Sequence, residues 1–284
     1  MNIHTGTEVA DLHLHSLFSD GVYTSQRLVE RAVQVGLDCI ALTDHDTLEG
    51  CEETERICAK KGIEFIPGVE LTAYYLEEEI HVLGYCMDLH NEAFLKSLQK
   101  FQKGRQYRVE KMVSLLNKQG VPLSLERVLQ IAQCKAPGRA HMARALLEGG
   151  FCSSHSEVYS RYLGKGKPAW VPKIYCGLEE SIELLHQAGG VAIIAHPGAL
   201  VQQEAVIKHS IEFGVDGFEC YHPKNSASTT QKLLSNCEKH GLLVTGGSDC
   251  HGIKERLSMG SIKLPIRHVE RLNQWVYSKN LKQA

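Results

Sequence analysis

The chain has 284 residues, 43% of them hydrophobic, and 31 basic against 33 acidic side chains leave a net charge of −2. That balance excludes the polybasic face of a protein that grips long duplex nucleic acid or an anionic membrane, and no apolar run reaches spanning length. The length allows one large α/β domain or two ordinary ones.

The first residues, MNIHTGTEVA, lack the charged-then-apolar pattern of a secretory signal, which points to a cytoplasmic protein. "EVADLHLH" reads as a strand, and "TSQRLVERAVQVG" as a helix capped by Thr24 or Ser25 and stopped by Gly36. "LDCIALTDHD" is an apolar strand, "TLEGCEETERICAKKG" a helix ending at Gly62, and "IEFIPGVELTA" and "EIHVLGYCMD" two more strands. This alternation predicts parallel strands with crossover helices. From about Asn91 to Gly164 the pattern is helical and rich in Arg and Lys, with no clear strand. Strands then alternate with helices again through "VAIIAHPG", "VDGFECYHP" and "LLVTGGSDCHG". The expected organisation is a barrel over 1–95 and 165–284, interrupted by a helical cap over 96–164. Ten scattered cysteines form no CxxC pair, so reduced thiols are expected in place of a zinc knuckle.

The fifteen histidines are the unusual feature. His13 and His15 stand two apart in a strand, so both project from one face. Side by side they repel when protonated and waste hydrogen-bonding capacity when buried, unless a cation takes their lone pairs. Asp20 follows in the next loop. Asp44, His45 and Asp46 end the second strand, Glu70 ends "IPGVE", His81 lies in the next strand, His196 ends "VAIIAHPG", and Asp249 and His251 end the last strand. In a parallel barrel those carboxyl ends share one face, where active sites lie. His13, His15, Asp20, His45, Glu70, His81, His196, Asp249 and His251 are six imidazoles and three carboxylates. They are too many for one ion and suit two or three, with Glu70 as the bridging carboxylate. The mixed donors favour manganese, iron or zinc over magnesium. Three such ions exceed the carboxylate charge and attract a phosphate dianion, and they generate hydroxide for in-line attack on phosphorus. Asp46 reads as a cap for a helix starting at Thr47, and Asp44 as a residue that orients His45 from behind. His186, His209 and His240, on helices, read as ordinary packing or surface residues.

Six stretches, "DLHLHSLFSDG", "ALTDHDTLEG", "PGVELTA", "HVLGY", "AHPG" and "GSDCHG", closely resemble the PHP (polymerase and histidinol phosphatase) family of metal-dependent phosphoesterases. The resemblance implies an α/β fold, a distorted (β/α)7 barrel with a two- or three-metal site. "PGRAHMARALLEGGF" and "YLGKGKPAWVP" extend it to the bacterial branch that includes RNase AM and the 3′,5′-bisphosphate nucleotidases. It implies one metal on His13, His15, Glu70 and Asp249, a second on Glu70, His81 and His196, and a third on Asp20, His45 and His251. The expected substrates are then nucleotides or short single-stranded oligonucleotides. Arg139, Arg144 and Lys167 become candidates for binding phosphate. Tyr107, Tyr159, Tyr162 and Trp170 become candidates for packing on a base. His222, Asp249 and His196 are the catalytic candidates, with His222 donating a proton to the leaving group. A small-metabolite phosphatase of the histidinol phosphate type is the alternative within the fold, and a nonhydrolytic metal-containing interaction module the alternative outside it.

Overall fold

The computed structural model describes residues 8–173, 176–253 and 258–283. Seven strands build a nearly closed barrel: β1 (Val9–Asp11), β2 (Cys39–Leu42), β3 (Glu64–Tyr75), β4 (Glu78–Tyr85), then, after a two-residue β5 (Cys176–Gly177) that pairs with β3, β6 (Val191–Ile194), β7 (Gly217–Tyr221) and β8 (Leu243–Gly246). A short β9 (Leu264–Pro265) runs antiparallel to β1. The barrel closes where Leu12 donates its backbone N–H to Gly246 (3.1 Å) and Leu14 pairs with Cys250. Gly247 permits that closure, because a Cβ there would lie 2.3 Å from the Cβ of His13.

The strands are not all parallel, as the alternation had suggested. β4 pairs antiparallel with both β3 and β6. No helix separates β3 from β4. Leu76 and Glu77 make a tight turn with φ of +49° and +59°, as type I′ hairpins require. Asn and Gly are the usual residues there, so this turn carries no sequence signal. The reversal matters for the site. Because β4 runs backwards, His81 near its start lies opposite Thr72, at the carboxyl rim of β3.

Helices α1 (Ser25–Val35) and α2 (Cys51–Lys61) cover one side, with α1 capped by the Thr24 side chain and stopped by Gly36 in the left-handed conformation. α2 starts four residues later than expected, so Asp46 caps no helix. It accepts instead from the Thr72 backbone N–H (3.2 Å) and from the Arg105 guanidinium (2.5 Å). Asp44 accepts from the Ser16 backbone and from the Ser16 and Ser19 hydroxyls, and so pins the 16–19 turn instead of orienting His45.

The middle of the chain is helical: α3 (Glu92–Lys118), α4 (Leu125–Ala132), α5 (Arg139–Glu148) and α6 (His155–Val158), which runs on as one wide turn to Leu163. Phe94, Leu98 and Phe101 at the start of α3 pack with the barrel core. Its second half joins a separate apolar cluster, in which Val109, Met112 and Leu116 meet Val128, Met142, Leu146 and Leu163. α7 (Leu178–Gln187), α8 (Gln203–Glu212), α9 (Ala227–His240) and α10 (Arg267–Gln283) complete the outer layer. Among the described residues no helix is long and apolar enough to cross a membrane.

His141 is a buried imidazole in α5 whose Nδ1 accepts from the Gly138 N–H (3.0 Å). Burial depresses its pKa to about 4, the neighbouring Asp20 opposing only in part. The unfolded chain takes up this proton near pH 6.5 and the folded protein only near 4, so stability falls as pH drops through that window. The loss is about 3 kcal/mol at most. Denaturation at pH 7 and pH 4.5 should show His141→Gln recovering much of the acid loss; equal acid sensitivity in both proteins would contradict this.

Candidate metal centre

The rim at the carboxyl ends of the parallel strands collects every one of the nine expected ligand-type side chains. Glu70 is the hub. Its Oε2 lies 3.0 Å from His45 Nδ1, 3.3 Å from His15 Nε2 and 3.4 Å from His13 Nε2. Its Oε1 lies 2.7 Å from His81 Nδ1 and 3.2 Å from His196 Nε2. Asp249 Oδ1 sits 3.3 Å from His15 Nε2 and 3.6 Å from His13 Nε2. Asp20 Oδ1 sits 3.1 Å from His251 Nε2 and 4.0 Å from both His15 and His45. Asp46, His196 and Asp249 hold positive φ (+52°, +30° and +54°), a backbone cost that ordinarily persists only where function or packing enforces it.

Three outer acceptors fix which nitrogen faces inward. Glu219 accepts from His13 Nδ1 (2.9 Å) and from the His196 backbone N–H (2.7 Å). Glu79 accepts from His81 Nε2 (3.1 Å), and the Asp249 carbonyl from His251 Nδ1 (2.9 Å). Each bond spends the ring proton on the outside and turns a lone pair to the cleft. His222 is held the opposite way. Its Nδ1 accepts from the Lys224 backbone N–H (3.0 Å), so the neutral ring carries its proton on Nε2, 3.7 Å from Asp249 Oδ2. His13, Glu219 and His222 lie close enough to suggest a metal group. Their hydrogen bonds argue otherwise, because Glu219 is committed to His13 and His222 offers the cleft a donor.

The donor set fits divalent cations. His13 Nε2, both nitrogens of His15, Asp20 Oδ1, His45 Nδ1, Glu70 Oε2 and His81 Nδ1 are buried without hydrogen-bond partners. Orphaned polar atoms are costly singly, and a convergent set of them implies a ligand. Three of the compact groups, His15–Asp20–His45–His251, His13–His15–Glu70 and His45–Glu70–His81, each bring their donor atoms within 4.8 Å of one another. The electrostatics agree. Burial alone would raise the Glu70 carboxyl, but His81, His45 and His13 outweigh it and hold it well below the usual range. Burial opposes charge on His15, yet Asp249 and Glu70 lift it to about 10. The carboxylates thus demand positive charge at the positions that cations would take.

Above the centre opens a cleft of about 850 Å³ lined by Asp20, His45, Glu70, His81, His196, Lys224, Asp249 and His251, with Ser258 and Ser261 at its edge. His81 and His196 also wall a side pocket of about 300 Å³, where Tyr74, Glu79, Arg139, Lys165 and Trp170 converge. Of the expected phosphate-binding residues, Arg139 lines the pocket. Arg144 and Lys167 line neither cavity, and Lys165 takes the place expected of Lys167. Of the aromatic residues, Trp170 is in the pocket. Tyr162 is buried in the second apolar cluster with Tyr159 packed on it, and Tyr107 is exposed.

Sequence reasoning missed Glu219, Glu79, Lys224 and Arg105. Glu219 left a faint trace, a lone acid inside the apolar strand "GFECY". The other three are charged residues in polar stretches, and only the fold distinguishes them from surface.

Barrel, rim and donor set together define an α/β-barrel hydrolase of the metal-dependent phosphoesterase class. The chain belongs to the PHP domain family, whose model matches residues 11–167. It is 32% identical over 249 residues to the 5′-3′ exoribonuclease Rnm of Escherichia coli, covering 86% of this chain and 85% of the relative. It is 32% identical over 248 residues to the 3′,5′-nucleoside bisphosphate phosphatase of Chromobacterium violaceum, covering 85% and 86%. A crystal structure from Bifidobacterium adolescentis, described as a metal-dependent phosphoesterase, superposes with a TM-score of 0.88 at 29% identity over 94% of this chain and 96% of the other.

Proposed function

We propose that this chain hydrolyses phosphate esters of nucleotides, acting on 3′,5′-bisphosphonucleotides or on the 5′ end of short single-stranded RNA. The observation that carries the reading is the shared wall. The cleft over the ligand-type side chains shares His81 and His196 with a pocket bearing Arg139, Lys165 and Trp170. A substrate with one phosphate at the rim and a second charged, aromatic-bearing portion beside it fits that layout. The names of the two relatives support the same chemistry. Their substrates could be one activity, since a bisphosphate resembles the terminal nucleotide of an RNA.

His13, His15, Glu70 and Asp249 would hold one divalent ion, Glu70, His81 and His196 a second, and Asp20, His45 and His251 a third. Manganese, iron or zinc bound there would supply a nucleophile at neutral pH and charge stabilisation for the attacking and leaving oxygens. Lys224, at 2.9 Å from Asp249, adds positive charge at the cleft. His222 presents Nε2–H. With Nδ1 occupied by a backbone donor, the ring would offer Nε2–H to the leaving oxygen and so assist its departure. Arg139 would orient the second phosphate and Trp170 would pack on the base.

The test is product release by manganese-loaded protein from 3′-phosphoadenosine 5′-phosphate, AMP, histidinol phosphate and a 5′-phosphorylated RNA pentamer, with Asp249→Asn as control. Phosphate from the bisphosphate, or mononucleotides from the pentamer, abolished in the control, is the expected result. Turnover of histidinol phosphate alone would overturn it.

A further inference from the structure

Glu79 belongs to neither the ligand set nor the expected substrate contacts, yet it touches both. It lies on β4 two residues before His81, so the two side chains share a face. Its Oε1 accepts from His81 Nε2 at 3.1 Å and from Lys173 Nζ at 2.6 Å, and its Oε2 lies 3.5 Å from the Arg139 guanidinium. The chain of contacts continues inward. Lys173 Nζ is 3.4 Å from Thr72 Oγ1, which accepts from Arg105 at 3.1 Å, and Arg105 bonds Asp46, the residue after His45. Arg105 and Arg139 come from the helical insert, and Lys173 from the segment returning to the barrel. Asp46, Thr72 and Glu79 belong to the barrel.

We propose that Glu79 is a positioning residue that sets the ring of His81 and the guanidinium of Arg139 with one carboxylate, so that the seating of the insert and the aim of a metal-facing histidine are a single event. The part concerning Arg139 rests on the nucleotide reading above; the part concerning His81 does not. The acceptor at Nε2 keeps the His81 proton away from Glu70 and leaves the Nδ1 lone pair at the rim. The negative charge holds Arg139 in the wall of the side pocket and pairs with Lys173 beside Thr72. The two duties separate chemically, because a carboxamide oxygen accepts from an imidazole N–H but carries no charge.

The experiment is a calorimetric titration of wild type, Glu79→Ala and Glu79→Gln with manganese(II) alone, together with kcat and KM for 3′-phosphoadenosine 5′-phosphate. Glu79→Ala should bind manganese about 10- to 100-fold more weakly, as for loss of other partners that orient a ligand. Glu79→Gln should stay within about threefold of wild type in manganese affinity, since its oxygen accepts the same N–H. Its KM should rise by about tenfold with kcat little changed, the signature of lost substrate positioning. A Lys173→Met/Glu79→Gln double variant removes both charges of the pair and should match Glu79→Gln in manganese affinity. Unchanged affinity in Glu79→Ala overturns the proposal. So does a loss in Glu79→Gln as large as in Glu79→Ala, or weaker binding by the double variant than by Glu79→Gln. Failure of wild type to turn over any nucleotide would sink the functional reading, while the titration would still decide the tie to His81.

Discussion

Replacing Glu70 by Gln should lower kcat/KM by about a thousandfold or more, close to 4 kcal/mol of transition-state stabilisation. Glu70 is fully buried and has five imidazole nitrogens within 3.4 Å of its oxygens. Gln keeps the volume but removes the charge, and its amide group turns a hydrogen-bond donor toward lone pairs that await a cation. Two proposed ion positions share this carboxylate, so both weaken together. A thermal melt followed by circular dichroism, beside manganese content after dialysis and activity, distinguishes this from misfolding. A folded Glu70→Gln protein with normal metal content and normal turnover would remove Glu70 from the centre.

The second large effect concerns His222. His222→Ala should cost about a hundredfold in kcat on 3′-phosphoadenosine 5′-phosphate, the usual loss for one preorganised donor to a developing oxyanion. The cost should depend on the leaving group. A ribose alkoxide needs the donor, whereas p-nitrophenolate leaves unaided, so p-nitrophenyl phosphate should lose less than about tenfold. His222→Asn, which retains an N–H donor, should fall between wild type and Ala. Equal losses on both substrates would show that His222 supports the site through Asp249 or Lys224 and does not meet the leaving oxygen.

These two residues also mark what the sequence makes legible. Glu70, His13, His15, Asp249 and His251 stand out because unpartnered imidazoles and acids inside apolar strands have no inexpensive structural explanation. Their spacing at strand ends then forecasts a common rim, and the barrel delivers it. His222 is visible by the same logic, but its role is not. Whether its Nε2 carries a lone pair or a proton depends on the backbone N–H of Lys224, a local turn that composition does not reveal. The direction of β4 was hidden because Leu76 and Glu77 adopt a turn conformation foreign to their residue types. Glu79, Glu219 and Arg105 were hidden because their partners Lys173, His13 and Asp46 lie 94, 206 and 59 positions away, and only the folded chain makes such a carboxylate or guanidinium different from a solvated one. Arg139 and Trp170 reached the pocket and Arg144 and Lys167 did not. Amphipathic helices tell from sequence which face is apolar, but not which polar residue overlooks a neighbouring cavity.

The most direct measurement is phosphate release from 3′-phosphoadenosine 5′-phosphate by protein stripped of metal with a chelator, before and after manganese is restored. Stripped protein should release negligible phosphate and recover when manganese is added, whereas Asp249→Asn should show no recovery. Full turnover surviving chelation, or none from the reloaded wild type, would contradict that expectation.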